Sequence, residues 1–207
     1  MPDQKLVYVV DDDRAVRDSL LMLLVTAGYT AKGFASAAEF LAEWVPDEVA
    51  CLILDLRMPG QSGLELQELL RSENSRLPII FVSGHGDVPV SVRAIKGGAL
   101  DFLEKPFSRR TLLERVNEAL LIAEQEKDNV RGHQDLMSRF RSLTPREREV
   151  LEYVVTGHQN KEIARLLEIS HRTVELHRTH MMDKMAARSL PELVAMAVRC
   201  GVHDVLD

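Results

Sequence analysis

Acidic side chains follow two strand-like apolar runs of this sequence, and acids in such places can take part in metal and phosphate chemistry. The run 5–10 ends in Asp11 and Asp12, and the run 51–54 ends in Asp55. Carboxylates that gather at one place repel each other and raise at least one pKa unless a cation lies among them. A hard divalent ion such as Mg²⁺ satisfies such a group, and one carboxylate can then attack a phosphoryl group.

Two more polar residues close apolar runs in the same way and suit the same chemistry. Ser83 follows the run 78–82, and Lys105 follows the run 99–104. A lysine ammonium can neutralise a phosphoryl group and a hydroxyl can hydrogen-bond it, while Asp55, alone after its run, is the nucleophile we expect. Each residue by itself also fits an ordinary role, such as a polar residue that ends a buried strand and caps the next turn. The repetition at successive runs favours the chemical interpretation.

The runs that carry these residues alternate with segments of helical periodicity. Strands are predicted near the ranges 5–10, 30–34, 51–54, 78–82 and 99–104. A helix follows each strand, and capping-box patterns start at Ser36 and Ser62. Such alternation predicts an α/β doubly wound, flavodoxin-like domain with a five-stranded parallel sheet, whose functional groups collect at the carboxyl ends of the strands. The polar residues should therefore meet at one edge of the sheet.

A second domain is expected because a chain of 207 residues exceeds the usual size of one domain. We expect the α/β domain over 1–122, a linker over 123–141 and an all-α helix-turn-helix domain over 142–207. The linker is polar and should be partly helical, with a break or fraying near Gly132. The last domain opens with a capping box at Thr144. Its helices are predicted near 145–156, 160–167, 170–186 and 190–200.

Hydropathy and cysteine content exclude several classes of protein. The longest apolar runs are far shorter than the roughly 18 residues that a membrane-spanning helix needs, and no signal peptide opens the sequence. We therefore expect a cytoplasmic protein that does not contact a membrane. Cys51 and Cys200 lie far apart without metal-ligand spacing, so we expect buried reduced thiols and neither a zinc site nor a disulfide.

The net charge of −6 does not by itself suggest a nucleic-acid-binding protein. The acidity lies in residues 1–125, which hold 13 Lys and Arg against 19 Asp and Glu, whereas residues 126–207 hold 13 of each kind. Within 161–188, six basic residues stand against four acidic ones. This weak basic bias matters only if the fold concentrates it.

The segment 160–186 has the pattern of two short helices joined by a tight turn at Glu168. In the second helix, Val174, Met181 and Met185 share one face and should lie in the core. The opposite face offers charged and small side chains that suit phosphates and base edges in the major groove of DNA. The same pattern also fits a helical dimerisation or scaffold module with a solvated face, and spacing alone leaves both open.

The segments VVDDD, LDLRMPGQSG, VSGHGD and EKPF, in this order, resemble the receiver domain of bacterial two-component response regulators over residues 5–122. The resemblance implies that Asp55 accepts a phosphoryl group. It also implies that Asp12, Asp55 and the backbone carbonyl of Arg57 bind Mg²⁺, with Asp11 acting through water. The switch hydroxyl, the aromatic switch residue and the phosphate-sensing lysine implied by the resemblance are Ser83, Phe102 and Lys105.

The segments LTPRE, NKEIA and RTVE resemble LuxR/FixJ-type helix-turn-helix domains along residues 141–205. The resemblance implies that 170–186 is the recognition helix, in which Glu175, Leu176 and Thr179 face the bases. A glutamate can accept a hydrogen bond from cytosine, and a leucine can contact a thymine methyl group. The residues implied to contact phosphates are Lys161, Arg172, Thr173, Arg178 and Lys184.

Together these features indicate a phosphorylation-controlled transcription factor that is not an enzyme. The implied partners are a sensor histidine kinase, double-stranded operator DNA with paired half-sites, RNA polymerase and, after phosphorylation, a second copy of the chain. The implied cofactor is Mg²⁺.

Two alternative functions fit parts of the same pattern. A phosphatase-like hydrolase also forms an aspartyl phosphate, but such enzymes commonly place an acid two residues after the nucleophile, where this sequence has Arg57. A DNA-binding protein whose first domain only dimerises or docks a partner would not need the full set of acids together with Ser83 and Lys105. The sequence does not decide whether the unphosphorylated chain is already dimeric.

Overall fold

The chain folds into two compact units, Met1–Asp128 and Asn129–Asp207. The structure is a computed structural model that describes residues 5–46, 48–84 and 88–202. The division between the units lies inside the stretch 123–141 that the sequence suggests as a linker.

The first unit alternates strands with helices, as the sequence predicts. Its elements are β1 (Leu6–Val10), α1 (Arg14–Thr26), β2 (Thr30–Phe34), α2 (Ala37–Glu43), β3 (Ala50–Asp55), α3 (Gly63–Ser72), β4 (Ile79–Ser83), α4 (Val88–Lys96), β5 (Asp101–Glu104) and the first part of α5 (Arg109–Arg141). The strands form one parallel sheet in the order β2-β1-β3-β4-β5. The predicted doubly wound, flavodoxin-like fold is therefore confirmed.

Helices cover both faces of the sheet, which explains why its three central strands are buried throughout. Side chains of a strand alternate between faces. Tyr8, Leu52 and Phe81 belong to a core cluster on one face, which also contains residues of α2, α3 and α4. Val7 and Ile53 belong to a second cluster on the other face, with residues of α1 and α5. Such two-sided burial is typical of parallel sheets.

Side-chain caps fix where the helices around the site begin. The Asp13 carboxylate accepts from the N–H groups at the start of α1, and Ser62 and Glu65 form the predicted capping box of α3. At α2, the hydroxyl of Ser36 accepts from the backbone N–H of Glu39, as predicted. The Glu39 carboxylate, however, accepts from the N–H of Ala35, one residue before the position that a capping box requires.

The helix α5 corrects one expectation, because no break or fraying occurs near Gly132. It runs for 33 residues without interruption. A glycine in an exposed helix interior costs only about 1 kcal/mol relative to alanine, and the surrounding residues are mostly good helix formers. The end of α5 also packs Leu136 into the core of the second unit, and this burial favours the helical state.

The second unit is all-helical and has its own core. After α5 it contains α6 (Pro145–Val155), α7 (Asn160–Leu166), α8 (His171–Met185) and α9 (Leu190–Arg199). Val174, Met181 and Met185 are fully buried there, as their spacing predicts. The turn between α7 and α8 places Glu168 at a φ of 54°, which reverses the chain in the tight manner of a helix-turn-helix.

Two further observations concern the cysteines and the lengths of the helices. Cys51 is buried, Cys200 is half-buried, and both are free thiols. Within the described part of the chain, every helix is too short or too polar to cross a lipid bilayer.

Candidate functional site

Asp11, Asp55 and Lys105 meet at the carboxyl edge of the sheet. The Lys105 ammonium donates to one carboxylate oxygen of Asp11 and to one of Asp55, each over 2.9 Å. These residues follow β1, end β3 and follow β5, so the topology of a parallel sheet brings them to one place. Both aspartates are buried and the lysine is half-buried. The convergence predicted from the strand ends is observed for these three residues.

Backbone groups hold the two carboxylates in place. The second oxygen of Asp11 accepts from the N–H of Asp13 over 2.9 Å, and the second oxygen of Asp55 accepts from the N–H of Arg57 over 2.7 Å. Each carboxylate therefore accepts a hydrogen bond from a backbone N–H two residues later at one oxygen and from the Lys105 ammonium at the other. Such fixed, solvent-poor carboxylates lose little order when they bind a ligand.

The electrostatics of the cluster show one cation shared by two anions. Burial raises the pKa of the Asp11 carboxyl, and the hydrogen bond and charge of Lys105 only partly offset this. Burial also lowers the pKa of the Lys105 ammonium, but its hydrogen bonds to Asp55 and Asp11 outweigh burial and leave that pKa raised. One ammonium between two carboxylates leaves an excess of negative charge, which attracts a further cation.

The predicted switch residues lie on β4 and β5 beside this cluster. Ser83 ends β4 and is buried, and its backbone carbonyl accepts from the N–H of Lys105 over 2.8 Å. Phe102 on β5 is half-buried and stacks on Phe81, with ring centroids 6.4 Å apart. The chain after Ser83 continues through residues 85–87 of the VSGHGD motif, which lie outside the described residues.

The other two predicted metal ligands differ from Asp11 and Asp55 in exposure. The side chains of Asp12 and Arg57 are exposed beside the buried pair. Among the described residues, no three His, Cys, Asp or Glu side chains gather as a ready metal site. Mg²⁺ nevertheless needs only one or two carboxylates, since waters and phosphate oxygens complete its shell. The oxygen-only donors of Asp11 and Asp55, which one cation already bridges, fit that requirement.

Two residues that shape the site were not singled out from the sequence. The Arg17 guanidinium on α1 donates to the backbone carbonyl of Asp11 over 2.6 Å and so holds the acidic turn. Gly63 opens α3 against the backbone of Asp55, where a Cβ atom would collide with the Asp55 carbonyl oxygen. The glycine directly after the helix cap Ser62 is a signal that could have found the second contact, whereas an arginine in a helix is too common to reveal the first.

In the second unit, α8 presents the predicted base-contacting residues to solvent. Glu175 and Thr179 are exposed, and the Leu176 side chain is 53% exposed although it is apolar. Their neighbours Val174 and Met181 are fully buried on the opposite face. A helix with one buried face and one mixed polar and apolar face has the geometry needed to enter a major groove.

The residues predicted to contact phosphates fall into two groups. Lys161 and Arg172 are exposed. Thr173 is half-buried, and its hydroxyl lies 2.7 Å from that of Ser170, the N-cap of α8. Arg178 and Lys184, in contrast, bind partners within the unit.

Arg178 donates to the side-chain oxygen of Asn160 on α7 over 2.7 Å, and Lys184 donates to the carboxylate of Glu147 on α6 over 2.7 Å. Arginine and lysine each carry several donor hydrogens, so both keep donors for a phosphate. These two bonds attach α8 to both helices that precede it.

Glu147 and Arg146 of the LTPRE segment hold the helix-turn-helix together. Glu147 closes the capping box with Thr144 and is 3% exposed. Burial raises the pKa of its carboxyl, but hydrogen bonds from Lys184 and Thr144 outweigh burial and leave that pKa lowered. Arg146 donates to the backbone carbonyl of Leu167, which ends α7. The sequence suggested a helix cap here, and the contacts of both side chains with α7 and α8 were not foreseen.

Two family models match the chain, one for each unit. The response regulator receiver domain matches residues 7–117. The LuxR family of bacterial regulatory proteins matches residues 141–197. The first match covers the strands, the acidic cluster and Lys105, and the second covers α6 to α8 with most of α9.

Similar proteins match over nearly the whole chain. The transcriptional regulatory protein FixJ of Bradyrhizobium diazoefficiens is 44% identical over 95% of this chain and 96% of its own length. Nodulation protein W of the same organism is 44% identical over 95% of this chain and 87% of its own length. The solved structure of the response regulator StyR is 41% identical, with a TM-score of 0.87, and covers 95% of this chain and 99% of that chain. This chain belongs to the FixJ-like response regulators of two-component transcription regulation, which join a receiver domain to a LuxR-type DNA-binding domain.

Proposed function

We propose that a sensor histidine kinase transfers a phosphoryl group to Asp55 and that this transfer makes the chain dimerise and bind operator DNA. The observation that carries the proposal is the Lys105 ammonium, which bridges the buried carboxylates of Asp11 and Asp55 at the carboxyl edge of the sheet. A nucleophilic carboxylate beside a fixed ammonium and a second acid is the arrangement that phosphoryl transfer requires.

The residues that would hold Mg²⁺ are Asp11, Asp12, Asp55 and the backbone carbonyl of Arg57. The ion would neutralise phosphoryl oxygens and the surrounding acids. An oxygen of the Asp55 carboxylate attacks phosphorus, the bond between phosphorus and the histidine nitrogen of the kinase breaks, and the imidazole leaves. The N–H of Arg57 keeps the Asp55 carboxylate oriented during this transfer. Lys105 releases its bond to Asp55 and pairs with the transferred phosphoryl group. Arg57 also occupies the position where hydrolases commonly carry an acid, so we propose a regulator that turns over no substrate.

Phosphorylation would act on β4, α4 and β5 through charge. The phosphoryl group adds roughly −1.5 to −2 units of charge and three strong acceptor oxygens. We expect the hydroxyl of Ser83 to donate to this group and the ring of Phe102 to move inward. The face formed by residues 88–122 then changes between two packed arrangements.

An apolar stripe on α4 supports pairing of two receivers through this face. Val88, Val92 and Ile95 are 73%, 44% and 46% exposed and are spaced so that they share one side of the helix. Burial of such a stripe against a second copy removes apolar surface from water. The dimer would then present two recognition helices to half-sites one helical turn of DNA apart or a multiple of it.

The recognition helix α8 would read bases through Glu175, Leu176 and Thr179. A glutamate accepts from the cytosine amino group and a leucine contacts a thymine methyl group. Lys161, Arg172, Thr173, Arg178 and Lys184 would position the helix on the phosphates. The bound dimer would contact RNA polymerase. Because DNA and RNA polymerase are proposed partners, we expect the protein to act in the cytoplasm.

The test compares the wild type with Asp55→Asn by sedimentation and DNA titration, each with and without beryllofluoride and Mg²⁺. The DNA is a duplex selected from a random pool by the wild type. We expect beryllofluoride to convert the wild-type monomer to a dimer and to tighten binding about tenfold or more. Asp18→Asn, which changes an exposed aspartate on α1, serves as the matched control. Tight binding by Asp55→Asn without the mimic, or a wild type that ignores the mimic, would refute phosphorylation control.

A further inference from the structure

The helix α4 is attached to the rest of the receiver by a buried amide. The side-chain nitrogen of Gln67 on α3 donates to the backbone carbonyl of Ala94 on α4 over 2.9 Å. Gln67 is 4% exposed and Ala94 is fully buried. Ala94 is also the buried residue of α4, while Val88, Val92 and Ile95 face solvent. A buried side-chain hydrogen bond therefore lies at the place where α4 enters the core.

The Gln67 amide also touches the turn that ends α4. A Cβ atom at Gly97 would lie 2.7 Å from the amide oxygen and 2.9 Å from the amide carbon. The Ala94 carbonyl accepts in addition from the backbone N–H of Ala99, which leads toward β5. The amide thus fixes the C-terminal end of α4 at the point where the chain turns into the next strand.

The same helix that carries Gln67 begins at the phospho-acceptor. Gly63, four residues before Gln67, packs against the backbone carbonyl of Asp55. Residues four apart lie on one face of a helix. One turn of α3 therefore connects the backbone of Asp55 with the backbone of α4, apart from the connection through Ser83 and β4.

Packing alone does not require a polar residue at this position. Gln67 lies between Leu66 and Leu70, which are buried in the core cluster on that face of the sheet. An apolar side chain of the same length would fill the space without the cost of burying an amide. The hydrogen bond of the Gln67 side chain therefore serves to position α4, because its acceptor is a backbone carbonyl of α4.

We propose that Gln67 is a positioning residue that holds α4 in the unphosphorylated arrangement and so sets the free energy that phosphorylation must supply. This inference rests on the proposed function, since it concerns the element that phosphorylation is proposed to rearrange. A hydrogen bond that forms in only one of two states favours that state by the full net free energy of the bond. Loss of the bond should therefore populate the active arrangement without a phosphoryl group.

The first test is hydrogen exchange of the full chain without a phosphoryl mimic. Gln67→Met keeps the length of the side chain and removes the donor, and Gln125→Met makes the same change at an exposed position on α5. We expect amides 94–99 to exchange about fivefold faster in Gln67→Met, which corresponds to one ordinary hydrogen bond. Amides of β1 and β3 should keep wild-type rates in both variants, and this shows that the fold is intact.

Gly97→Ala provides a second variant that leaves Gln67 in place and pushes its amide away. We expect faster exchange of the same amides, and wild-type exchange in both Gly97→Ala and Gln67→Met would overturn the inference. This readout does not depend on the proposed function, because no phosphoryl group is present.

The second test is the ratio of DNA affinities with and without beryllofluoride and Mg²⁺. Gln67→Met should lower this ratio about fivefold by raising the affinity of the unmodified protein. A wild-type ratio in Gln67→Met would overturn the inference. If the wild type itself shows no response to the mimic, the proposed function fails and the exchange rates alone decide the role of Gln67.

Discussion

At the scale of single residues, the chemistry of the site depends on one ammonium that two buried carboxylates share. The types and positions of Asp11, Asp55 and Lys105 were readable from the sequence, because each follows an apolar run and parallel strands end at one edge. The sequence could not show which of two adjacent acids would be buried. In the structure Asp11 binds Lys105, while Asp12 is exposed, and this difference arises from the direction of the chain as it leaves β1.

Removal of the shared ammonium should destabilise the receiver. Lys105→Met leaves Asp11 and Asp55 as two buried anions without a cation, and Lys105 is itself partly exposed, so we expect a loss of about 2 kcal/mol in EDTA at neutral pH. Because Trp44, directly after α2, is the single tryptophan and packs against the core of the first unit, urea unfolding followed by its fluorescence reports on this unit. Millimolar Mg²⁺ should restore part of the loss by binding the folded state.

Lys32→Met supplies the control, since Lys32 is exposed on β2. If both lysine variants lost the same small amount of stability, the shared ammonium would contribute nothing specific. If Mg²⁺ failed to stabilise Lys105→Met, the two carboxylates would not bind that ion.

At the scale of elements, local sequence signals located most helices. They could not show where burial in the folded chain overrides a local signal. Gly132 has the local signature of a break, yet α5 passes through it because burial of Leu136 further along favours a continued helix. At the LTPRE segment, in contrast, the local signal predicts a helix cap at Thr144, and the structure confirms it. The contacts of Glu147 with α8 are long-range, so spacing within one helix does not reveal them.

The bond between Glu147 and Lys184 should make the stability of the second unit depend on pH. The folded state lowers the pKa of Glu147, so its contribution is present above the unfolded value of about 4.3 and is lost as pH falls through the lowered folded value. Glu147→Gln should cost about 1–2 kcal/mol at pH 7, and its difference from the wild type should shrink below about pH 4. Methyl NMR signals of Met181 and Met185 during urea unfolding report on this core.

Glu152→Gln changes an exposed glutamate of the same helix and should leave the stability unchanged at every pH. A stability difference for Glu147→Gln that stayed constant from pH 7 to pH 3 would assign the effect to packing and would contradict an ionic contribution.

At the scale of the whole molecule, net charge was a poor guide to function. Residues 126–207 carry no net charge, although the family to which the chain belongs binds DNA. Several acids of the second unit are occupied by internal ion pairs, such as Glu147 with Lys184 and Glu192 with Arg188. Composition counts these acids against DNA binding, whereas in the fold they lie on α6 and α9 and not on the exposed face of α8. Pattern and resemblance therefore indicated a DNA-binding family where net charge did not.

The salt dependence of operator binding should distinguish the two kinds of predicted phosphate contact. A lost phosphate contact lowers the slope of log K against log salt by about 0.9, so a dimer that loses two contacts loses about 1.8. Exposed Lys161 should show this full change in Lys161→Met. Lys184→Met should change the slope less and reduce stability more, because Glu147 already neutralises the Lys184 ammonium.

Binding of the beryllofluoride-treated full chain is measured from about 50 to 200 mM salt on the selected duplex, with Lys5→Met as the control at an exposed receiver lysine. The control should keep the wild-type slope. A slope that stays unchanged in Lys161→Met would remove Lys161 from the phosphate contacts. If Lys184→Met lowered the slope by the full amount of about 1.8, the Lys184 ammonium would pair with a DNA phosphate instead of Glu147. The bond between α6 and α8 would then open whenever the dimer binds its operator.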